Sequence, residues 1–261
     1  MRKTPLLSLV FLTLLACSTS PTGRNQLILV SDAQMDQMGI ASFSQMKEKN
    51  PPLADAETNA YVQCISNALL KAAGEQPQSW EVRVFKDDSA NAFALPGKKI
   101  GVYTGMFNVA KNQHQLAAVI GHEIGHVQAK HGAERVSLNM AAQLGQQVAQ
   151  ISLEDNENAP MIMAAIGIGS QVGVLLPYSR THESEADYMG LKLMARAGFK
   201  PEESVTLWQN MAKAGGGAPP EFLSTHPSDK TRIKQLRSAM GEADALYQQA
   251  VSQGLQPACS L

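Results

Sequence analysis

Two histidines and a glutamate occur at the spacing of a metal site in the run His122-Glu123-Ile124-Gly125-His126. Four residues along an α-helix bring His122 and His126 to within about 40° of each other, so both imidazoles can bind one metal ion. Glu123 is offset from His122 by about 100°, which places it beside the metal, where it can accept a proton from a bound water. The pattern is typical of a zinc hydrolase.

The alternative is an ordinary helix with two solvated histidines, because the pattern occurs by chance in about one per cent of chains of this length. The surrounding sequence favours the metal site. Asn112 and Gln115 have the spacing of a capping box, and apolar residues then recur at helical spacing. These are Leu116, Val119, Ile120, Ile124 and Val127. The helical pattern continues from Gln128 to about Ser152.

A third metal ligand is predicted on a second helix, which extends from Ser179 to a stop at Gly198. Glu183 and Asp187 are four residues apart and share one face of that helix. We expect Glu183 to bind the metal and Asp187 to accept the free ring N–H of a ligand histidine. Glu185, about 200° from Glu183, is expected to face solvent or form a salt bridge. The alternative is an ordinary acidic helix face.

His226 precedes Pro227 and is therefore expected in a turn, leading into a helix that ends near Met240. The ring could donate a hydrogen bond to the oxyanion of a tetrahedral intermediate, or close the open metal position in a resting state. A local hydrogen bond within the turn is the alternative. The other histidines, His114, His131 and His182, are not assigned to the metal.

A small, mostly antiparallel sheet is predicted before the histidine helix. The segment from Trp80 to Phe85 alternates large and polar side chains, and two further strands, 92–95 and 100–104, flank a turn at Pro96-Gly97. An exposed edge of this sheet could accept an extended peptide through main-chain hydrogen bonds. A purely structural hairpin is the alternative.

The remaining pattern is mostly helical, which predicts a predominantly helical α+β fold in one domain, residues 31–261, with a C-terminal helical tail. One helix is predicted from Ser31 to Lys49 and another from Asp55 to Ala73.

Two further segments separate or follow these helices. The apolar segment 161–176 is short for a membrane span and is expected to be buried or mobile, with a membrane-dipping role as the alternative. A glycine-rich flexible loop is predicted at 215–220.

The N-terminus carries the features of an exported protein. Arg2 and Lys3 precede an apolar run, and residues 1–16 are predicted to be a signal peptide too short to span a bilayer as a stable helix. Leu14-Leu15-Ala16-Cys17 resembles the bacterial lipobox, which implies lipidation of Cys17, and Ser18 fits passage to the outer membrane. Residues 17–30 would then form the lipidated N-terminus and tether. An ordinary secretory signal with an incidental cysteine is the alternative.

The other two cysteines, Cys64 and Cys259, form a candidate disulfide, because an oxidising compartment permits one. The chain has 22 basic residues, two of them in the predicted signal, against 23 acidic ones, and no basic block. This balance argues against nucleic acid as a partner.

At these residues the chain resembles the gluzincin metallopeptidases of the HtpX and CAAX-prenyl-protease family, in its soluble, Oma-like periplasmic branch. His122, Glu123 and His126 match the family's zinc helix, and Glu183 with Asp187 matches its second motif. His226-Pro227 matches a downstream histidine near the site. The likeness extends from about Gly23 to Arg237, and the membrane-spanning helices of HtpX and the prenyl protease are missing.

The segment Asn91-Ala92-Phe93-Ala94, followed by Gly101-Val102-Tyr103-Thr104, looks like the family's strand pair. In the family, the rim strand of this pair binds extended substrate backbone, which implies a substrate-binding role for Asn91 and Ala92.

The resemblance implies a zincin-like domain that binds one Zn²⁺ and hydrolyses peptide bonds in unfolded or misassembled envelope proteins. The expected location is the periplasm, lipid-anchored at the outer membrane. A chaperone-like assembly factor, working with outer-membrane assembly machinery and with proteolysis secondary, is the main alternative. A metal buffer or sensor is a third.

Overall fold

The structure is a computed structural model that describes residues 17–154, 156–171, 175–214, 226 and 230–261. The predicted signal peptide and the predicted loop at 215–220 lie outside the described residues. The chain divides into two compact units. Of the described residues, the first unit comprises those within 17–35 and 128–182, and the second comprises those within 36–127 and 183–261.

The predicted α+β class with predominant helix is confirmed. The helices of the described residues are α1 (Asp32–Lys49), α2 (Ala56–Ala72), α3 (Gln113–Gln128), α4 (His131–Ser152), α5 (Ala159–Ser170), α6 (Leu176–Arg196), α7 (Glu203–Ala214) and α8 (Lys230–Ser252). The strands are β1 (Cys17–Thr19), β2 (Asn25–Leu27), β3 (Glu81–Phe85), β4 (Ala92–Leu95) and β5 (Lys99–Tyr103).

Side-chain caps define the starts of the first helices, as the sequence predicts. Ser31 and Gln34 form a reciprocal capping box, in which the Ser31 amide donates to Gln34 Oε1 at 2.9 Å and the Gln34 amide to Ser31 Oγ at 3.3 Å. At α2, a carboxylate oxygen of Asp55 accepts the Thr58 amide at 2.8 Å. These bonds satisfy backbone donors that a helix start leaves unpaired.

The sheet of the second unit has the strand order β3-β5-β4. β4 and β5 form an antiparallel hairpin whose turn includes Gly97 and Lys98, both with positive φ. β3 pairs with β5 in parallel, so the sheet is mixed. With the antiparallel β1–β2 pair included, two of the three strand pairings are antiparallel. β4 lies at the edge of the sheet, next to β5 alone.

The hydrophobic core of the second unit lies between the sheet and the helices that carry the histidine and glutamate motifs. Large side chains of α2, α3 and the sheet are fully buried, among them Ile65, Leu69, Ile100, Leu116 and Ile120. Burial of one such side chain stabilises a fold by about 1.5–3 kcal/mol. The core therefore fixes α3, the helix that carries His122, in the second unit.

The first unit contains the N-terminal hairpin and the long helix α4. β1 and β2 pair antiparallel, and the Leu29 amide donates to Ser137 Oγ of α4 at 2.8 Å. The segment predicted to be a tether thus forms a hairpin fixed to a helix. Polar side chains can hold such a segment in place even where its apolar content is low.

A buried polar cluster, called the Glu134 cluster below, fixes this hairpin. Arg24 donates to both carboxylate oxygens of Glu134, at 2.8 and 2.7 Å. The Gln26 side-chain amide donates to Glu134 Oε2 at 3.0 Å, and His182 Nε2 lies 2.9 Å from the same oxygen. The rings of His131 and His182 stack at 4.2 Å, only 14° from parallel. Glu134 has no exposed surface.

Two expectations for this unit are corrected in part. The helix predicted from Gln128 to about Ser152 is present as α4, but it begins at His131, because Lys130 adopts a left-handed conformation with φ of 53° between α3 and α4. The segment 161–176 was expected to be buried or mobile, and burial is wrong for α5: the helix has no buried residue, and Met161 and Ile168 are about two-thirds exposed, at 68% and 66%. Its apolar residues are distributed all round the helix and so define no packing face. Among the described residues, no helix is both long and apolar enough to cross a membrane.

Candidate metal centre

The first half of the site is presented by α3. Its cap, Asn112, accepts the amides of His114 and Gln115 at 3.0 and 2.9 Å. Gln115 does not complete the predicted capping box, because its Oε1 accepts the Lys111 amide instead. One turn of this helix separates His122 from His126, and their Nε2 atoms lie 3.0 Å apart. The two rings thus point at one position in space.

The second half is presented by α6, which crosses α3 at glycine. An added Cβ at Gly190 would lie 2.7 Å from the His122 backbone nitrogen, and one at Gly125 would lie 3.1 Å from the Ala186 carbonyl oxygen. Only helices with small residues at the crossing can approach this closely. The approach brings the carboxylate of Glu183 to within 3.4 Å of the Nε2 atoms of both His122 and His126.

His226 completes a group of four donors. Its Nδ1 lies 3.2 Å from His122 Nε2 and 3.0 Å from Glu183 Oε2. The ligand atoms of His122, His126, Glu183 and His226 all lie within 4.8 Å of one another. The Nε2 atoms of His122 and His126 are only 3.0 Å apart. At that distance two neutral imidazoles cannot both present lone pairs to each other unless a proton or a cation lies between them. Three imidazole nitrogens and a carboxylate are a donor set that suits tetrahedral zinc.

Asp187 orients the first of these rings. Its Oδ1 accepts the Nδ1–H of His122 at 3.0 Å, which directs Nε2 toward the other donors. Burial disfavours charge on the His122 ring, but its hydrogen bonds to Asp187 and Glu183 outweigh burial and raise the pKa of His122 to about 9. A cation binding here therefore displaces a proton.

Arg232 is the functional residue that the sequence analysis missed. Its Nε and Nη2 donate to the two carboxylate oxygens of Asp187, at 2.6 and 2.7 Å, and its Nη1 lies 3.0 Å from Glu183 Oε2. A signal was present, because Arg232 continues the apolar stripe of α8 that contains Leu236 and Ala243. An arginine in such a stripe indicates a buried acidic partner.

Glu123 lies at the rim of the donor group with its carboxylate buried. Burial raises the pKa of the Glu123 carboxyl, and the nearby charge of Glu183 adds to that effect. The rings of His226 and His122 and the Ala94 amide of β4 act in the opposite direction. Oε1 makes no hydrogen bond with any described residue, although His226 Nε2 lies 3.4 Å away. A buried carboxylate oxygen without a hydrogen bond suits a group that exchanges protons with a ligand.

The predicted substrate-binding residues lie at the start of the edge strand. Asn91 uses its carbonyl to accept the Tyr103 amide at 2.9 Å, and its side chain accepts the Ala92 amide at 2.9 Å. Ala92 is buried, at 2% exposure. Both residues therefore maintain the β4–β5 hairpin, and two residues further along the strand the Ala94 amide reaches Glu123.

The remaining predicted residues lie away from the donor group. Cys64 and Cys259 form a disulfide with Cα atoms 5.8 Å apart. Cys17 begins β1, and its side chain is outside the described residues. His114 Nδ1 accepts the Lys200 amide at 3.3 Å. Glu185 was expected to face solvent or form a salt bridge; solvent exposure is wrong, because the residue is only 7% exposed, and the salt bridge stays a prediction. An angular position on one helix cannot anticipate coverage by neighbouring elements.

Several known proteins have sequences similar to this chain. The chain is 42% identical over 225 residues to the mitochondrial metalloendopeptidase OMA1 of Arabidopsis thaliana, a match that covers 84% of this chain and 44% of the relative. The OMA1 protein of Schizosaccharomyces pombe is 37% identical over 188 residues, 71% of this chain and 54% of the relative.

A bacterial relative is more distant. The beta-barrel assembly-enhancing protease of Escherichia coli K12 is 25% identical over 218 residues, 80% of this chain and 44% of the relative. The chain spans about half the length of the curated relatives it matches. The family model described as peptidase family M48 matches residues 56–240, which include the cap of α3, all four donors and Arg232. The chain belongs to peptidase family M48.

Proposed function

We propose that this protein is a zinc-dependent endopeptidase of the bacterial cell envelope that hydrolyses peptide bonds in unfolded or misassembled envelope proteins. The observation that carries the proposal is the convergence of four ligand atoms within 4.8 Å beside the buried carboxylate of Glu123. A metal-storage site would not need that carboxylate, whose Oε1 lies 3.4 Å from His226 and accepts no hydrogen bond from a described residue.

His122, His126 and Glu183 would hold one Zn²⁺, and His226 would take the remaining direction in the resting protein. When bound, zinc supplies a Lewis acid and lowers the pKa of water at its open position. Glu123 would accept the proton from the attacking water and return it to the leaving amine. Its raised pKa favours both transfers, because it brings the carboxyl closer to the working pH.

His226 has to move or share its position for a substrate to enter, because a catalytic zinc requires one open direction. Once displaced, its ring could donate a hydrogen bond to the oxyanion of the tetrahedral intermediate. Asp187 would keep the ring of His122 oriented throughout the cycle.

The edge strand β4 would bind the substrate in an extended conformation. It has one neighbour in the sheet, and its Ala94 amide reaches Glu123, so a peptide paired with β4 would pass the proton acceptor. Asn91 and Ala92 would begin this binding edge. Main-chain pairing gives affinity with little sequence selectivity, as a protease of unfolded chains needs.

The test compares Glu123→Gln with the wild type on a quenched fluorescent unfolded polypeptide, with zinc content measured in both. We expect one zinc per chain in each and a fall in cleavage rate of about 10²–10⁴-fold in the variant. Glu48→Gln, an exposed substitution on α1, is the matched control and should cleave at the wild-type rate. Equal rates for wild type and Glu123→Gln would rule out the proposed chemistry.

The envelope location is supported by the sequence of residues 1–17 and by the Cys64–Cys259 disulfide, which suits an oxidising compartment. Lipid at Cys17 would anchor the protein to the outer membrane. Metabolic labelling with a radioactive fatty acid should label the wild type and leave Cys17→Ala unlabelled. Labelling of neither protein would contradict the lipid anchor without touching the peptidase proposal.

A second function is assembly of outer-membrane proteins, with proteolysis secondary. The printed name of the Escherichia coli relative, beta-barrel assembly-enhancing protease, favours this alternative and suggests assembly machinery as a partner. The decisive experiment uses a strain whose own gene for this protein is deleted and which carries a gene for either the wild-type protein or Glu123→Gln. Equal rescue of outer-membrane protein levels by both would support assembly; rescue by the wild type alone would support proteolysis.

A further inference from the structure

Arg232 is buried, although burial of an arginine side chain is unfavourable. It lies in the first turn of α8 and is only 3% exposed, on the stripe that also carries Leu236 and Ala243. Removing a guanidinium from water costs several kcal/mol unless its donors are all matched. The position is therefore informative about what this side chain contacts.

The guanidinium contacts three separate groups. Two donors bind the carboxylate of Asp187, a third nitrogen lies 3.0 Å from Glu183 Oε2, and the same Nη1 donates to the backbone carbonyl of His226 at 3.2 Å. The guanidinium carbon lies 4.0 Å from the centroid of the Trp208 ring, within the range of a cation–π contact. This contact restricts the position of the guanidinium and thereby the directions of its donors.

These contacts join the two parts of the donor group that come from different regions of the chain. Glu183 belongs to α6, whereas His226 follows α7 by more than ten residues. The Nδ1 atom of His226 contacts the Glu183 carboxylate, and the backbone carbonyl of His226 accepts a hydrogen bond from Arg232. Arg232 also contacts Glu183, so the side chain and the backbone of His226 are both held by this pair. A lysine would keep a positive charge here but could not bind all three groups.

We propose that Arg232 is the positioning residue that holds His226 at the metal centre and thereby sets how far the fourth ligand position is closed. The proposal rests on the proposed zinc site and goes beyond it, because it assigns control of the closing ligand to a residue of α8. Arg232 acts through the three residues that it contacts, His226, Asp187 and Glu183, and is therefore a positioning residue.

The experiment uses the full chain loaded with Co²⁺, whose visible spectrum reports which ligands it has. His226→Ala gives the spectrum of the site without the fourth imidazole. Arg232→Lys should shift the wild-type spectrum toward that of His226→Ala, and the rate of metal loss to excess chelator should rise about 10- to 100-fold. Arg237→Lys, exposed on the same helix, is the matched control and should keep both wild-type values.

A second variant covers the case in which Arg232→Lys fails to fold. Trp208→Leu removes the ring that the guanidinium contacts and leaves Asp187, Glu183 and His226 unchanged, so it should shift the spectrum in the same direction by a smaller amount. Because the Trp208 ring also lies 6.4 Å from the His122 ring, the informative result is a shift toward the spectrum of His226→Ala in particular. A wild-type spectrum and release rate in the folded variants would overturn the proposal, and so would a wild-type spectrum in His226→Ala. The Glu123→Gln assay tests the peptidase proposal separately, because the two proteins that it compares both keep His226 and Arg232.

Discussion

The metal centre of the second unit and the Glu134 cluster of the first unit are built from the same side-chain types. In each, a buried carboxylate binds an arginine and a histidine: Asp187 with Arg232 and His122, and Glu134 with Arg24 and His182. Across the described residues, however, only the metal centre gathers three or more metal-ligand atoms within 4.8 Å.

The difference lies in which ring nitrogen the carboxylate binds. Asp187 binds Nδ1 of His122, and Nε2 of the same ring points at the Nε2 of His126, across rings that are 77° from parallel. Glu134 binds Nε2 of His182, and the ring lies flat on His131, 14° from parallel. The lone pairs of two parallel, stacked imidazoles point in parallel planes and do not meet. Two imidazoles at a steep angle can direct a nitrogen each at the same metal ion.

The carboxylates differ in the same way. The oxygens of Glu134 are fully used by Arg24, Gln26 and His182, so the cluster is closed to a further ligand. At the candidate metal centre, Asp187 is likewise paired with an arginine and a histidine, whereas Glu183 lies among three imidazoles as well as Arg232. A carboxylate among several imidazole nitrogens can bind a cation, and a paired carboxylate behind it keeps a ring oriented toward that cation.

The strongest test of this comparison replaces one histidine in each cluster. His126→Ala removes a ligand, and zinc affinity should fall by more than the roughly 10- to 100-fold typical for a neighbour of a ligand. His182→Ala should keep one zinc per chain and its peptidase activity, while the free energy of unfolding falls by about 1.5–3 kcal/mol for a lost hydrogen bond to a charged group. Zinc content and urea unfolding measure both. Loss of zinc from both variants would contradict the view that only the candidate metal centre binds the metal and that the Glu134 cluster is structural.

The helix crossing that makes the imidazoles converge can be tested with a single methyl group. At Gly190 an added Cβ would lie 2.7 Å from the His122 nitrogen, so Gly190→Ala should separate α3 from α6. A displacement of about 1 Å can cost on the order of 100-fold in rate. Gly241→Ala, in an open part of α8, is the control and should raise stability by up to about 1 kcal/mol. Full activity in Gly190→Ala would show that the crossing tolerates more space than the structure has.

The Glu134 cluster should contribute to stability and leave catalysis alone. Glu134→Gln leaves the partly buried Arg24 without its anionic partner, and losing a hydrogen bond to a charged group lowers the free energy of unfolding by about 1.5–3 kcal/mol. We expect that loss in urea unfolding, with unchanged zinc content. Glu154→Gln, exposed in the same unit, should be neutral. If zinc is lost along with stability in Glu134→Gln, the two clusters are not independent.

A smaller effect is expected with pH. Burial would raise the pKa of Glu134, but hydrogen bonds from Arg24, Gln26 and His182 outweigh it, and the pKa lies below the ordinary 4.5. A lowered folded-state pKa contributes stability above the unfolded-state value and loses it as pH falls through the folded-state value. The stability difference between wild type and Glu134→Gln should therefore be constant from pH 7 to about pH 5 and shrink below about 4.5. A constant difference down to pH 3 would contradict the lowered pKa.

Local signals in the sequence were enough to predict most helices and the pairing of motifs. Ser31, Asp55 and Asn112 cap helices because their side chains act on amides two or three residues away. The spacing of His122 and His126 fixes their relation within one helix in the same way. Glu183 and Asp187 share one face of α6. If one of them contacts the histidines of α3, the other is therefore expected to do so as well.

Features that depend on distant residues could not be read in this way. The parallel pairing of β3 with β5 depends on the path taken between them, and the burial of Glu185 depends on what covers α6. The left-handed turn at Lys130 has no glycine or asparagine to signal it. Arg232 lies 45 residues from Asp187, so only its place in an apolar stripe hinted at a partner.

The bond between Cys64 and Cys259 gives the protein a dependence on the redox state of its surroundings. Next to it, the Cys259 amide donates to Gln113, the first residue of α3, so the chain end touches the start of the helix that carries His122. Closing a long loop typically adds about 2–4 kcal/mol. Thermal unfolding with and without a thiol reductant would measure this gain. In the proposed function the chain is made in a reducing cytosol and then exported to an oxidising compartment. On that proposal the disulfide forms only after export, so the peptidase would reach its full stability only where cytosolic proteins are out of its reach.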